Sequence, residues 1–327
     1  MSAIDLPGFA DLERARLRIA AHARVTPVLR SRSLDALAGA ELHFKCENFQ
    51  RAGAFKFRGA CNAVWALDEA TARRGVVTHS SGNHGAALAL AGHTRGIPVH
   101  VVVPDGAVRS KLAAIEAFGA SVHRCAATLA AREDAAARVC AQTGASLVHP
   151  YADARVIAGQ GTAAIELLEA IADLDALVAP IGGGGLIGGT AIAAAQLSPG
   201  TQVFAAEPAG AADAAESLRL GARVADFEPH TICDGLRALI GAPNFELLRR
   251  HGVEVLTVDD DATVAAMRLV WERLKIVIEP SSATVFAAVL RHRERFAGQR
   301  VGLIVSGGNV DLDALPWTPP PSAPGRG

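Results

Sequence analysis

Lys56 is the residue whose surroundings first suggest chemistry, because it stands between two aromatic side chains. The stretch 45–60 reads KCENFQRAGAFKFRGA, with Phe55 and Phe57 on either side of the lysine. A lysine in this setting can lay its carbon stem on apolar surface and keep its ammonium in water. Alternatively it points inward, where lost solvation lowers the pKa of the amine and makes it a nucleophile for carbonyl compounds. Taken alone, the stretch favours the exposed lysine, because lysine is rarely buried.

Four consecutive glycines, Gly182 to Gly185, follow an expected apolar strand and precede an expected helix. Backbone without side chains can approach an anion closely, and the N–H groups at a helix start point toward it. We therefore predict a phosphate site. The segment 183–188 also matches GxGxxG, with Glu207 about 20 residues further on, where a dinucleotide-binding fold has its ribose acid. A nicotinamide or flavin enzyme is thus an alternative.

Two further loops gather hydroxyl and amide groups at expected strand ends. The first is SSGNHG at Ser80 to Gly85, and the second is SGGN at Ser306 to Asn309. Such groups suit a carboxylate or the polar edge of a ring. Ordinary serine N-caps are the alternative explanation.

Glu207 and Asp213, with the carbonyl of Ala211 between them, form a candidate cation site. Two carboxylates and a carbonyl are oxygen ligands that suit Mg²⁺ or Ca²⁺. Two solvated acids on a loop are the alternative, since most acids are exposed. The histidines show no HExxH spacing and no serine lies in a GxSxG elbow. The sequence therefore disfavours a zinc protease and a serine hydrolase.

The elements that must position these loops alternate along the chain. We expect strands over 41–46, 75–79, 98–103, 121–124, 146–149, 175–181, 202–206 and 300–305. We expect helices over 11–24, 59–67, 86–95, 110–118, 129–143, 161–172 and 186–196. Such alternation predicts an α/β fold with mostly parallel sheets, whose ligands bind at the carboxyl ends of the strands.

Composition excludes several classes of protein. Half of the 327 residues are hydrophobic, yet no apolar run approaches the roughly 18–20 residues of a membrane span. The net charge of −1 does not suggest binding to nucleic acid. The five cysteines are scattered and form no CxxC pair, and the N-terminus lacks a signal-peptide pattern. We expect a cytoplasmic protein with a disordered proline-rich tail over 317–327.

Together the motifs resemble the fold-type II pyridoxal-phosphate enzymes, in particular the branch of serine/threonine dehydratases and serine racemases. The resemblance rests on FQRAGAFKFRGA around Lys56, SSGNHG, AGQGT at Ala158 to Thr162, GGGG and SGGN, in family order along nearly the whole chain. It implies a tryptophan synthase β-like fold with two open, mostly parallel sheets flanked by helices. It also implies a large domain over 1–74 and 153–316, a small mobile domain over 75–152, and a homodimer.

The resemblance implies roles for the cofactor-binding residues. Lys56 would anchor pyridoxal 5′-phosphate as a Schiff base and, once displaced, act as base on the substrate Cα. The remaining implied contacts are Phe55 on the ring face, Asn83 at the ring hydroxyl, Gly182, Gly183, Gly184 and Gly185 at the phosphate, and Ser306 at the ring nitrogen.

It also implies how substrate and metal are bound. The substrate-binding residues would be Ser80, Ser81, Asn83 and His84, with Ser81 as a second base on the face opposite the lysine. Arg132 matches an arginine that can meet a distal carboxylate, although a solvated helix arginine is the alternative. Glu207, Ala211 and Asp213 would hold the divalent cation.

The implied activity is a dehydratase that converts L-serine, L-threonine or a relative into a 2-oxo acid and ammonia. A 3-hydroxyaspartate ammonia-lyase and a serine racemase are close alternatives, and the dinucleotide oxidoreductase is a remote one. Tyr151 tilts the expectation toward elimination, because mammalian-type racemases have asparagine there. AGAFK departs from the TGSFK of many threonine dehydratases, which leaves the β-substituent of the substrate open. The chain ends soon after SGGN, so feedback inhibition by isoleucine is not expected.

Overall fold

A computed structural model describes residues 5–106 and 109–318. The part of the predicted disordered tail beyond residue 318 lies outside the described residues. In the first half the elements are α1 (Phe9–Ile19), β1 (Val28–Leu29), α2 (Arg32–Ala38), β2 (Glu41–Cys46), α3 (Lys56–Trp65), α4 (Glu69–Arg74), β3 (Val76–Thr78), α5 (Asn83–Arg95), β4 (Val99–Pro104), α6 (Arg109–Ala117), β5 (Ser121–Cys125), α7 (Leu129–Thr143) and β6 (Ser146–Leu147).

The second half begins with a long helix and ends with a central strand. Its elements are α8 (Ala154–Ala170), β7 (Ala176–Pro180), α9 (Gly185–Leu197), β8 (Gln202–Pro208), α10 (Asp213–Leu220), α11 (Ala242–Arg250), β9 (Glu254–Val258), α12 (Asp260–Leu274), α13 (Pro280–Arg291), α14 (Arg293–Phe296) and β10 (Arg300–Val305).

The strands form two sheets. The larger sheet has the order β1-β2-β10-β7-β8-β9, and all its neighbours are parallel except β1 and β2. The smaller sheet has the order β5-β4-β3-β6 and is parallel throughout. The predicted α/β fold with two mostly parallel sheets is therefore confirmed.

Helices cover both faces of the larger sheet, so its strands read as continuous apolar runs. All five residues of β7 are buried, as are five of the six in β10. A separate apolar cluster joins α3 to α5 and the smaller sheet through residues such as Phe57, Val64, Leu88 and Val101. Helix α3 therefore lies between the two sheets. The division into a large and a small mobile domain stays a prediction.

Several boundaries differ from the expected ones. Helix α3 begins at Lys56 rather than at residue 59, and α8 begins at Ala154 rather than at residue 161. The glycines that made the start of α8 look irregular are packing positions. A Cβ on Gly159 would lie 2.6 Å from the Cα of Gly59, so helices α3 and α8 touch through bare backbone. Asp153 caps α8 by accepting the N–H of Arg155.

The region 209–299 contains five helices and β9, none of which was predicted from the sequence. Near the carboxyl end of the chain, Trp317 packs edge-on against Trp271, with ring centroids 5.3 Å apart. Within residues 5–106 and 109–318, none of the helices combines the length and apolarity that crossing a bilayer requires.

Candidate active site

Lys56 is the first residue of α3 and is placed there by the SGGN loop. Ala54 pairs with Gly307 in an isolated bridge, and the N–H of Phe55 donates to the carbonyl of Ser306 at 2.9 Å. Ser306 follows β10, the strand beside β2 in the larger sheet. The two loops that lie about 250 residues apart in the sequence are thus joined through backbone hydrogen bonds.

The Lys56 side chain points inward, so the surface interpretation of this lysine is wrong. Its Nζ donates to the carbonyl of Pro150 at 3.0 Å and lies 5.0 Å from the centre of the Phe55 ring. The residue as a whole is half-buried, but its ammonium lies among protein groups. Burial lowers the pKa of the amine to about 8, although the charge of Glu279 acts in the opposite direction. A lysine with this pKa has a neutral, nucleophilic fraction near neutral pH.

Asn83, at the start of α5, belongs to a chain of amide and carboxylate contacts beside Lys56. Its Nδ2 donates to Oε1 of Glu279 at 2.8 Å, and its Oδ1 accepts from Nδ2 of Asn309 at 3.0 Å. Nδ2 of Asn309 also donates to the carbonyl of Ala52 at 2.8 Å. Glu279 was missed from the sequence. The available signal was its place directly before Pro280, at the beginning of α13.

Ser306 is 3% exposed, and its hydroxyl lies 3.0 Å from the hydroxyl of Ser282. The Ser282 hydroxyl also donates to the carbonyl of Gly307 and accepts from its N–H, both at 2.6 Å. A hydroxyl proton rotates freely, so Ser306 can direct it to Ser282 or to another acceptor. The site thus offers an uncharged hydroxyl at this edge, fixed in place by a second serine that the sequence analysis did not identify.

The four glycines connect β7 to α9 and are closely packed by neighbouring residues. A Cβ on Gly182 would lie 2.8 Å from the Cα of Leu236, and one on Gly183 would lie 2.2 Å from the ring of Tyr151. Gly184 has φ +89°, which L side chains rarely adopt. The first N–H groups of a helix have no partner within it, so the start of α9 offers donors to an anion.

The SSGNHG loop runs from β3 into the start of α5. Ser80 and Ser81 are half-buried, whereas His84 is 2% exposed. Burial and, next, the charge of Lys56 lower the pKa of His84 well below its usual value. The structure thus places an uncharged His84 ring close to the Lys56 amine. From the sequence, His84 is expected only as a substrate contact.

Arg132, on α7, lies near the same loop. Burial lowers the pKa of His79, and the Arg132 guanidinium lowers it further. Burial raises the pKa of Tyr151, with Arg132 acting against it. The Nε of Arg132 is buried and has no hydrogen-bond partner among the residues that the structure describes. An arginine with an unused donor therefore lies within electrostatic range of the residues around Lys56.

Glu207 and Asp213 are both buried, so the solvated-acid alternative is wrong. Glu207 accepts the N–H groups of Ala214 and Ala215 at 2.8 and 2.9 Å, and Asp213 accepts that of Ile240 at 2.7 Å. Burial raises the pKa of Glu207 to about 8 and that of Asp213 to about 6.

Each oxygen of Glu207 thus accepts an N–H group at the start of α10. Ala211, whose carbonyl completes the predicted cation site, is 1% exposed. Within the described ranges no three His, Cys, Asp or Glu side chains gather as metal ligands, so a cation here would need carbonyl oxygens as well.

These residues fit a phosphorylated aldehyde with a polar aromatic ring. Lys56 offers a buried amine of lowered pKa. The start of α9 offers N–H donors in a glycine loop where neighbouring residues leave no space for a Cβ. Asn83 and Ser306 offer an amide and a hydroxyl on either side of the lysine-bearing segment. The predicted cofactor needs these three kinds of partner: an amine, a phosphate site and polar groups at the ring edge.

Comparison with known proteins agrees with this interpretation. The family model described as "Pyridoxal-phosphate dependent enzyme" matches residues 19–307. The chain is 49% identical to a β-hydroxyaspartate dehydratase of Paracoccus denitrificans, over 95% of this chain and 99% of that protein. It is 48% identical to a serine racemase of Dictyostelium discoideum, over 93% and 95%. The crystal structure of a serine racemase from that organism superposes with a TM-score of 0.90, at 47% identity, over 94% of this chain and 99% of that one.

Proposed function

The chain belongs to the pyridoxal-phosphate-dependent enzyme family, and from that premise we propose that it is an ammonia-lyase acting on a β-hydroxy amino acid. The observation that carries the proposal is the Lys56 amine, which points inward to the Pro150 carbonyl and has a pKa of about 8. The bound cofactor supplies an electron sink that stabilises negative charge at the substrate Cα. In the net reaction the substrate loses its β-hydroxyl and a proton as water, and hydrolysis of the resulting unsaturated amine gives a 2-oxo acid and ammonia.

Lys56 moves the Cα proton in this proposal. Its neutral amine carries a lone pair, and a pKa of about 8 keeps part of the amine neutral at physiological pH. Ser81 is the candidate for a proton donor or acceptor on the opposite face. Elimination requires a base on one face of the substrate Cα, whereas racemisation requires one on each face, so we favour elimination.

The chain's other residues hold the two ligands. Gly182 to Gly185 and the start of α9 bind the phosphate, and Phe55 packs on the ring face. Asn83 binds the ring hydroxyl through the amide that Glu279 orients. Ser306 presents a neutral hydroxyl to the ring nitrogen. Ser80, Ser81, Asn83 and His84 bind the substrate carboxylate at the start of α5.

Arg132 favours a substrate with a second carboxylate, and we propose 3-hydroxyaspartate ahead of serine and threonine. Its buried Nε has no partner among the described residues, and a guanidinium binds a carboxylate through paired hydrogen bonds. A relative 49% identical to this chain is named a β-hydroxyaspartate dehydratase. Serine racemisation remains the second candidate, because a relative 48% identical bears that name.

Three further proposals follow from the resemblance and from the buried acids. Glu207, the carbonyl of Ala211 and Asp213 bind Mg²⁺ or Ca²⁺, since two buried carboxylates of raised pKa gain from a cation. Residues 75–152 form a small domain that closes over the substrate and excludes water. The enzyme works as a homodimer in the cytoplasm. Chelation by EDTA tests the cation site, and small-angle scattering with and without substrate tests the closure. Sedimentation tests the homodimer, and cell fractionation tests the location.

The central experiment compares wild type with Lys56→Ala. We expect wild type to show the absorption band of a lysine-bound cofactor and the variant to lose both the band and 2-oxo acid release. A variant that keeps the band would refute the role of Lys56. The substrate panel consists of serine, threonine, and threo- and erythro-3-hydroxyaspartate, with chiral analysis of the remaining serine to detect racemisation.

Arg132→Met tests the second carboxylate. Losing a charge-assisted hydrogen bond should lower kcat/KM for 3-hydroxyaspartate by roughly 10- to 100-fold and leave serine nearly unchanged. Arg138→Met is the matched control, because Arg138 lies exposed on the same helix. Equal losses for both substrates in Arg132→Met would contradict this assignment.

A further inference from the structure

The segment 148–153 connects β6 of the smaller sheet to α8, and the His149 ring holds it in a turn. Nδ1 of His149 accepts the N–H of Ala152 at 3.1 Å and, at a longer 3.4 Å, that of Tyr151. A ring nitrogen that accepts hydrogen bonds carries no proton, so the proton of this imidazole is on Nε2. Burial, then the neighbouring His79, lower the pKa of His149 to about 4, which keeps the ring in this neutral form.

The carbonyl of Pro150 lies inside this turn and accepts the hydrogen bond from Lys56 Nζ at 3.0 Å. Proline fixes φ at residue 150, which restricts one of the two backbone angles next to this carbonyl. A carbonyl orients an amine without carrying the full charge of a carboxylate. The amine can therefore donate one N–H to Pro150 and, when neutral, still direct its lone pair at a substrate.

The same turn is tied to the phosphate loop. The Tyr151 ring covers Gly183, and the Tyr151 carbonyl accepts Nδ2 of Asn244 at 2.9 Å. That Nδ2 also donates to the carbonyl of Gly183 at 2.5 Å. The same turn thus supplies the hydrogen-bond acceptor for Lys56 Nζ and the Tyr151 ring that packs on the glycine loop.

We propose that the Pro150 carbonyl holds the Lys56 amine whenever that amine is not bound to the cofactor, and that His149 is the positioning residue that keeps this carbonyl in place. The inference rests on the proposed function, because a free Lys56 amine acts only if it is the group that moves the Cα proton. In this proposal His149 contacts neither the Lys56 amine nor the substrate Cα, and it acts through the backbone of residues 150–152.

Two substitutions separate the acceptor from the ring. His149→Phe keeps an aromatic ring but removes the nitrogen acceptor, whereas His149→Asn keeps an oxygen that can accept N–H groups two and three residues on. His100→Phe is the control, since His100 lies on β4 and pairs with His123 rather than with the turn. All three are measured as holoenzymes.

In His149→Phe we expect kcat to fall about tenfold with KM changed less than about twofold, because a misplaced base loses orientation after the substrate is bound. Losing the carbonyl removes an interaction that favours the ammonium, so the acid limb of kcat should move about one unit to lower pH. His149→Asn should recover most of both effects, and His100→Phe should match wild type. An unshifted limb in His149→Phe, or equal losses in the two His149 variants, would overturn the proposal.

A measurement on the wild-type holoenzyme keeps the test independent of whether the variants fold. ¹⁵N NMR of the histidine rings should show His149 with its proton on Nε2 and no titration above pH 5. A proton on Nδ1, or an imidazolium at pH 7, would overturn the inference. This result does not depend on turnover, so it is distinguishable from failure of the proposed function, which would appear as activity retained in Lys56→Ala.

Discussion

Replacing Arg58 with methionine should destabilise the protein by about 3–5 kcal/mol, because it leaves the buried carboxylate of Glu47 without its ion-pair partner. Arg58 lies two residues after Lys56 on α3 and is 1% exposed. Its guanidinium donates to both oxygens of Glu47 at 2.7 and 2.8 Å and to both oxygens of Glu166 at 2.6 and 2.7 Å. Lys45 Nζ donates to Glu166 at 2.5 Å and completes a cluster of four charged side chains.

The two cations and two anions balance, and the loss of one partner is therefore costly. Burial by itself would lower the pKa of Arg58, but the two carboxylates outweigh it and raise that pKa. Without the guanidinium, Glu166 keeps its hydrogen bond from Lys45. The side chain of Glu47, which is 0% exposed, keeps a hydrogen bond from the Thr26 hydroxyl at 2.5 Å but no ion pair within 4 Å among the described residues. If the penalty comes from this charge, adding Glu47→Gln to Arg58→Met should recover a substantial part of it.

Urea unfolding at a fixed cofactor concentration measures the cost, since cofactor bound to the folded state shifts the apparent stability. Arg16→Met is the matched control, because Arg16 makes a similar two-pronged pair with Glu169 at 2.5 and 2.7 Å, but about half exposed. Exposed pairs contribute about 0–1 kcal/mol. The reasoning is refuted if Arg58→Met costs no more than Arg16→Met, or if the double variant shows no recovery.

Three other predictions concern the proposed cation site, the glycine loop and Lys56. In EDTA, the stability of Glu207→Gln relative to wild type should rise between pH 5 and pH 8. The wild-type carboxyl, with a pKa of about 8, stays protonated in the folded chain, whereas the unfolded chain releases this proton from about pH 4.5 upward. A constant difference in urea midpoints would contradict this. Gly183→Ala should weaken cofactor binding by roughly 5- to 100-fold in an absorption titration, because the new Cβ would clash with the Tyr151 ring. Gly200→Ala is the control and should bind the cofactor normally, because no atom lies within 4 Å of its Cβ. For wild type, kcat should rise with pH through about 8 as Lys56 loses its proton, and a flat profile between pH 6 and 9 would argue against a lysine base.

The parts of the fold that could be predicted are those with strong local signals. β7, the glycines and α9 follow one another as an apolar run, a flexible turn and an alanine-rich helix, and the structure has them within one residue of the expected bounds. β2, α7 and β10 have the expected bounds throughout. Because the carboxyl ends of parallel strands share one edge, the loops after β7 and β10 could be assigned to one site before any contact was known. The loop after β3 belongs to the other sheet, and only the family resemblance brought it to the same site.

The parts that could not be predicted depend on packing between distant segments. The start of α8 was lost because its glycines look like helix breakers until α3 is seen packed against them. The inward direction of Lys56 and its acceptor at Pro150 join residues 94 positions apart. Glu279 reaches Asn83 over 196 positions. No local periodicity carries such information, because a side chain's partner is decided by how the sheets meet.

The place of Lys56 is therefore decided by backbone packing more than by the motif around it. Behind the lysine, Arg58 fixes α3 to Glu47 and Glu166, and Gly59 meets Gly159 on α8. Ala54, in the AGAF that departs from related dehydratases, is 1% exposed, and its Cβ would lie 3.0 Å from a Cβ on Gly307. A residue packed in this way shapes how the lysine loop meets the SGGN loop rather than contacting a β-substituent directly. Discrimination among β-hydroxy amino acids is thus better sought at Arg132 and in the turn at 148–153, whose Pro150 carbonyl accepts a hydrogen bond from the amine.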